Sequence, residues 1–158
     1  MLFNTKKEQF YFKPNQRLNI LVSLNVNFFR DVFSVCFKMV DFRPVDFNQN
    51  QTVFEFYKFE EFLFDENFFL KKENKNLMPS KKDYYFVYFL FKRLKIFYGN
   101  GYSLFLLIFK KINYFKLNVI LKVFVYLNIL EEKENAIYFK QPTKKLKLNK
   151  RLISKEVK

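Results

Sequence analysis

Only two of the 158 residues are glycine, and both fall within three positions, in the stretch FYGNGYS at residues 97–103. Asn100-Gly101 is the pair that a type I′ turn requires, because both of its central residues need positive φ. The flanks suit a β-hairpin. DYYFVYFLF before the glycines is rich in Tyr, Phe, Val and Leu, and SLFLLIF after them in Leu, Phe and Ile, compositions that favour strand. The alternative is a helical hairpin with Gly99 just beyond a helix C-terminus.

On the β reading, pairing Gly99 with Tyr102 sets Phe91 opposite Lys110 and Leu90 opposite Lys111, with Lys92, Arg93 and Lys95 alongside. Like charges on neighbouring strands repel, and an anion lying over them removes the conflict. Nucleic acid suits both halves of this pattern: phosphates meet the cations, and unpaired bases stack on the interleaved Phe and Tyr rings. Tyr84, Tyr85 and Tyr88 are then candidates for stacking or for a 2′-hydroxyl, with a core role as the alternative for each. The plainer reading of the band is a solvated edge whose charge deters strand aggregation.

The charge balance points the same way. The chain carries 29 Lys and Arg against 15 Asp and Glu, a net +14, which implies a polyanionic partner. Residues 84–130 hold seven bases and no acid, and residues 140–158 hold eight bases against Glu156. Residues 41–70 are the reverse, with seven acids against Arg43 and Lys58, so this segment is expected to face solvent or a basic neighbouring protein rather than RNA.

Several chemistries are excluded. There is no histidine, and Cys36 is the single cysteine, which removes histidine-based acid–base and nucleophilic catalysis, disulfides and the usual zinc ligand sets. The pairs Glu60-Glu61 and Glu131-Glu132 read as solvated surface acids, and no Gly-rich phosphate loop is present. No enzyme activity, cofactor, metal or small-molecule substrate is expected. The longest uncharged run, Ile96 to Phe109, has 14 residues, short of the about 17–25 that a membrane-spanning helix needs. The first residues lack the apolar stretch of a signal peptide.

Along the chain, residues 1–16 form an N-terminal extension and 17–141 a single domain. RLNILVSLNVNFF alternates with period two, placing Leu18, Ile20, Val22, Leu24, Val26 and Phe28 on one face of a half-buried strand. From Phe29 the period changes: Phe29, Val32, Phe33, Cys36, Phe37 and Val40 fit one face of a helix that stops before Pro44. Cys36 lies in that apolar stripe as a packing residue. Residues 44–76 read as an insertion, with TVFEFYKF strand-like, EEFLFDENFFLKK a short helix and ENKNLMPSKK a loop. Residues 83–113 are the long hairpin. LNVILKVFVYLNIL follows as a buried helix with Asn118 at its N-cap, then EEKEN as a turn and AIYFKQ as a strand ended by Pro142. The tail, residues 142–158, is basic and without an apolar stripe.

The resulting order is βαββαβ, an α+β, ferredoxin-like sandwich with a long β-hairpin, an inserted segment and a basic C-terminal tail.

Taken together, these segments resemble the family of small-subunit ribosomal protein ten, in a divergent mitochondrially encoded form. LNILVSLNVNFF resembles that family's first strand, and NLMPSKK its Pro-Thr-Lys-Lys segment, with Pro79, Ser80, Lys81 and Lys82 in the matching places. SLFLLIFKKIN resembles its third strand with the basic pair Lys110-Lys111, and NVILKVFVYL followed by NAIYFK its second helix and last strand. The family's Ser-Pro-His segment has no counterpart, and neither do residues 44–75. QPTKK at 141–145 is a nearer literal match to Pro-Thr-Lys-Lys but would truncate the fold. YGNGYSLFLLIFKKI is also similar to the helical core of small-subunit ribosomal protein seven, on the helical reading of the hairpin.

The resemblance implies a structural constituent of the mitochondrial small ribosomal subunit, with ribosomal RNA and neighbouring ribosomal proteins as partners. It also implies a place in the mitochondrial matrix; an excess of Phe, Lys and Asn without Trp or His fits a very AT-rich coding genome, of which protist mitochondrial genomes are one source. Expected RNA contacts are Lys81, Lys82, Lys92, Arg93, Lys95, Lys110, Lys111, Lys144, Lys145, Lys147, Lys150 and Arg151. The competing expectation is an accessory subunit of a respiratory or ATP-synthase complex, given the apolar load of residues 84–130.

Overall fold

The computed structural model describes Phe12 and residues 14–140, so the basic tail and its five expected contacts, Lys144, Lys145, Lys147, Lys150 and Arg151, lie outside the described residues. The protein is mixed α and β. Two compact units divide between Phe47 and Asn48, a division that cuts across the expected 17–141 domain.

The described residues of the first unit form one long hairpin. Strand β1 (Leu18–Phe29) pairs antiparallel with β2 (Val32–Pro44), with a register shift at Leu21/Val22. The period-two strand forms where its alternation places it, but it is exposed and not half-buried, because no layer of the described first unit covers either face. The helix expected from Phe29 does not form: VFSVCFKMV also alternates, with Phe33, Val35, Phe37 and Met39 on one face, and these align with Phe28, Val26, Leu24 and Val22 of β1. A run that satisfies both periods follows the partner that supplies its hydrogen bonds. The reversal uses Arg30 (φ 50°) and Asp31 (φ 60°), both in the left-handed region. This is the backbone requirement of a type I′ turn, met without glycine. Cys36, expected in a buried stripe, is exposed and stands opposite Asn25, whose neighbour Asn27 donates Nδ2 to its Sγ at 3.3 Å.

The second unit begins with α1 (Gln49–Phe64), whose N-cap Asn48 accepts from the Gln51 amide. Strand-like TVFEFYKF is therefore helical. Its buried positions are Thr52, Glu55, Phe59 and Phe62, a helical series half of whose members are polar, which hides the apolar period. Two 3₁₀ turns, Phe68–Leu70 and Lys72–Leu77, lead to α2 (Lys81–Leu94).

Helix α2 replaces the first strand of the expected hairpin. Ser80 and Asp83 form a reciprocal capping box, Ser80 N donating to Asp83 Oδ2 (2.7 Å) and Asp83 N to Ser80 Oγ (3.3 Å), and Tyr84, Val87 and Phe91 form its buried stripe. Lys95 (φ 65°) ends the helix and β3 (Ile96–Tyr98) follows. Asn100 is then the N-cap of α3 (Gly101–Ile108), accepting from Ser103 N at 2.9 Å. Asn100-Gly101 thus starts a helix instead of turning a hairpin, because the same amide oxygen that suits a turn also caps a helix.

The two glycines serve different needs. Gly99 sits at φ +147°, and a Cβ there would lie 2.9 Å from Phe97 Cε1 and 3.1 Å from Ser103 Cβ. Gly101 lets α3 approach the next helix, a Cβ there meeting Leu121 Cδ1 at 3.2 Å. Gly99→Ala is expected to cost about 2 kcal/mol of stability, since strain and contact act together. Urea unfolding checks this, and a loss no larger than that of Gly101→Ala would refute the special role of Gly99.

Helix α4 (Tyr114–Tyr126) is the axis of the second unit. Its N-cap is Asn113, accepting from Lys116 N at 2.8 Å, and not Asn118, whose Nδ2 instead donates to Tyr114 O within the helix. Phe115, Leu117, Val119, Ile120, Leu121, Val123 and Phe124 are buried. Strands β4 (Leu130–Lys133) and β5 (Ala136–Phe139) complete a three-stranded antiparallel sheet in the order β3-β5-β4. Part of the expected EEKEN turn is therefore strand, and the reversal is confined to Glu134 (φ 48°) and Asn135. The element order is ββααβααββ, not βαββαβ.

Candidate nucleic-acid interface

The expected cation band presupposes a register that α2 and α3 do not have, so its members separate. Lys92 and Arg93 occupy the last turn of α2 and Lys95 its C-cap. Lys92 Nζ lies over the Phe89 ring (5.9 Å) and Lys95 Nζ over Phe139 (5.5 Å), arrangements in which an aromatic face holds the cation while it remains open to an anion. Lys81 and Lys82 lie at the other end of α2, about 20 Å away along a 14-residue helix.

A second cluster forms there instead. Lys116 Nζ reaches Asp83 Oδ2 at 3.6 Å, which brings the first turns of α2 and α4 together. Lys81 and Lys82 open α2, and the exposed Lys110 and Lys111 precede the N-cap of α4. Lys81 and Lys82, next to Asp83 in the chain, thus stand with Lys116 at the start of α2, while Lys110 and Lys111 lie just ahead of Asn113, the N-cap of the helix that carries Lys116. Each N-terminus already holds a carboxylate: Asp83 on α2, and Glu55, which accepts the Tyr114 amide at 2.7 Å, on α4. The lysines, not the helix dipoles, supply the attraction for an anion here.

Beside this cluster runs a groove of about 710 Å³ along the outer face of α4. Tyr114, Asn118, Lys122 and Tyr126 stand at four-residue intervals along it, facing Asn100 and Tyr102 of the α3 start. Tyr102 and Tyr126 are 37% and 50% exposed, and the Tyr102 ring meets that of Tyr114 edge to face at 6.3 Å. Burial pushes the Tyr114 hydroxyl above the ordinary tyrosine value, against a hydrogen bond with Asn118 that lowers it. Lys122 supplies the charge, and Glu132 marks one wall as unsuited to phosphate. The groove thus has the chemistry for a base, and the lysine cluster the chemistry for a backbone.

No family model, curated protein or solved structure matches the chain. The site is therefore read from its own residues.

Of the expected tyrosines, Tyr84 is a core residue, 4% exposed with its ring 6.0 Å from Phe124, while Tyr88 packs against Phe124 and Phe139. Only Tyr85 is largely exposed. Sequence reasoning missed Tyr102, Tyr114, Asn118 and Tyr126. The signal for this face is Asn113, which as N-cap starts α4 at Tyr114 and so sets Tyr114, Asn118, Lys122 and Tyr126 at i, i+4 spacing.

The acidic segment is largely engaged internally. Asp41 pairs with Arg43 (2.9 Å), Glu61 with Lys58 (2.8 Å) and Lys71 (2.9 Å), and Lys71 with Asp65 (2.9 Å). Hydrogen bonds from Lys58 and Lys71 hold the Glu61 carboxyl below its usual range. Among the described residues no group of three or more metal-ligating side chains occurs, and no helix is long and apolar enough to cross a membrane.

Proposed function

We propose that the protein is an RNA-binding structural constituent of the mitochondrial small ribosomal subunit. The observation that carries this reading is the groove on α4 lined by Tyr102, Tyr114, Lys122 and Tyr126, on a helix that also bears Lys116, whose contact with Asp83 sets it beside Lys81 and Lys82 of α2. Phosphates bind the cluster and unpaired bases stack in the groove. The order α2-β3-α3-α4-β4-β5 supports it. A helix-turn-helix, α3 to α4, followed by a β wing is a common way to present one helix to nucleic acid. The ferredoxin-like order is no part of this reading. The placement in a ribosome rests on the sequence resemblance, and the RNA contact on the site.

The test is RNA affinity of the full chain as a function of salt. Each phosphate contact contributes roughly 0.7–0.9 to the slope of log affinity against log salt. Lys110→Gln with Lys111→Gln is expected to lower that slope by about 1.5, and Tyr126→Ala to weaken binding with the slope unchanged. Salt-independent binding would refute the reading. In a sucrose gradient of organelle lysate the protein is expected with the small subunit, with or without EDTA.

The second reading, an accessory subunit of a respiratory or ATP-synthase complex, draws on the exposed apolar side chains of the β1–β2 hairpin. Sedimentation with membrane complexes, unaffected by EDTA, would favour it.

A further inference from the structure

The groove on α4 carries one charge of each sign, and the two do not meet. Of its lining residues only Lys122 and Glu132 are charged, and neither side chain has an ion pair or hydrogen bond among the described residues. Side chains two apart lie on one side of a strand, so Glu132 shares a face of β4 with Leu130, which is 2% exposed. Glu131, on the opposite face, is held by Lys133 (3.0 Å) and Lys140 (3.1 Å).

An acid with no cation of its own is an odd neighbour for an RNA strand. It repels phosphate, and it follows directly on a stretch, residues 84–130, that contains no acid. An ionised carboxylate is an acceptor only, so what it can take from RNA is a pair of donors on a base.

The bases differ at this point. On its Watson–Crick edge guanine carries two adjacent donors, N1–H and N2–H, at the spacing of two carboxylate oxygens, with O6 as an acceptor beside them. Uracil flanks its N3–H with carbonyls, and adenine and cytosine set an amine beside a ring-nitrogen acceptor, so each turns an acceptor toward a carboxylate. Adenine is read instead by a side-chain amide that offers donor and acceptor together. Both asparagines of the groove are engaged elsewhere: Asn100 Oδ1 accepts from Ser103 N (2.9 Å) and Oγ (3.1 Å), and Asn118 Nδ2 donates to Tyr114 O at 2.8 Å.

We infer that the groove reads guanine in single-stranded RNA: Glu132 accepts N1–H and N2–H, Lys122 donates to O6, and the ring lies on the lining formed by Leu121, Val125 and Tyr126. Two charge-assisted bonds to one carboxylate fix the orientation of the base as well as its identity. The groove, at about 710 Å³, falls within the roughly 300–1,000 Å³ of sites that hold small organic molecules.

This inference rests on the RNA reading of the groove, and its test separates the two. The full chain is titrated with short labelled uridine strands that carry one central guanosine, adenosine, cytidine or inosine. Inosine keeps N1–H and O6 and lacks only the N2 amine. The guanosine strand is expected to bind about tenfold tighter than the adenosine and cytidine strands, and inosine to lose most of that advantage. Salt slopes are expected to be the same throughout, because the phosphates are the same.

Glu132→Gln keeps the shape at an exposed position. It is expected to bring the guanosine strand down to the level of the others with helical circular dichroism unchanged. Salt-dependent binding that is equal for every strand would overturn the guanine assignment and leave the RNA reading standing. No salt-dependent binding to any strand would overturn both. A guanosine preference that survives Glu132→Gln would overturn the inference as well, since another group would then be reading the base.

Discussion

Phe115→Ala is expected to remove about 4 kcal/mol from the unfolding free energy of the second unit, the largest effect of any single truncation in the chain. Phe115 is fully buried, at 0% exposure, and its ring touches four others. Phe68 stacks on it at 5.4 Å, and Phe59, Phe62 and Phe69 meet it at 6.2, 5.9 and 6.2 Å. These rings come from α1 and from the first 3₁₀ turn, so one side chain on α4 holds both. Truncation leaves a cavity lined by rigid rings that cannot collapse into it, and it also removes edge-to-face pairs worth about 0.5–1.5 kcal/mol each. Urea denaturation followed by circular dichroism is expected to show a lower midpoint with the slope preserved. A loss under about 1 kcal/mol would mean that α1 is not packed on α4 in solution.

Glu55→Ala is expected to cost about 3 kcal/mol, a large effect for one polar side chain. Glu55 is only 3% exposed, which is rare for a carboxylate unless its oxygens are partnered. Both are: Oε2 accepts the Tyr114 amide and Oε1 accepts Gln51 Nε2, each at 2.7 Å. The Tyr114 amide belongs to the first turn of α4, where no intrahelical acceptor exists, and the carboxylate also faces the positive end of that helix. Alanine orphans the half-buried Tyr114 amide, leaves the exposed Gln51 side chain to water and opens a void. Glu55→Gln keeps one acceptor oxygen and the shape but not the charge, so about 1 kcal/mol is the expected loss. Unfolding both variants side by side separates charge from shape, and an alanine variant as stable as the glutamine one would show that the Tyr114 contact contributes nothing.

Both results bear on the proposed RNA surface. Tyr114 lines the groove and Phe115 anchors the same turn on the inside, so the outward face of α4 is only as well ordered as the two α1 contacts that hold it. Neither variant is expected to change the salt slope of RNA binding in protein that remains folded.

Where one local signal stood unopposed, the sequence read true. β1 alternates and β5 is short and bounded, and both form as strands where expected, though β1 is exposed and not half-buried; α4 has apolar residues on most sides and forms as a helix, but starts earlier, at Tyr114, and ends at Tyr126. Ambiguity entered wherever a segment satisfied two rules. The run from Val32 fits both a helix and a strand, and the register with β1 decides it. Asn100 suits a turn or an N-cap, and α3 decides it. The stripe of α1 contains Thr52 and Glu55, and Glu55 is buried only because an amide 59 positions further on awaits it.

Charge and chemistry follow the same division. Composition by itself determined a strongly basic chain with no histidine and one cysteine, and so bounded the partners and the chemistry, because charge and functional groups add up regardless of fold. Which lysines are neighbours was decided only in three dimensions. Lys92 and Lys95 end on α2 over the rings of Phe89 and Phe139, while Lys116 reaches Asp83 beside Lys81 and Lys82, because α2 and α4 pack through Tyr84, Tyr88 and Phe124. Burial of apolar area is collective, and no single stretch of sequence carries it.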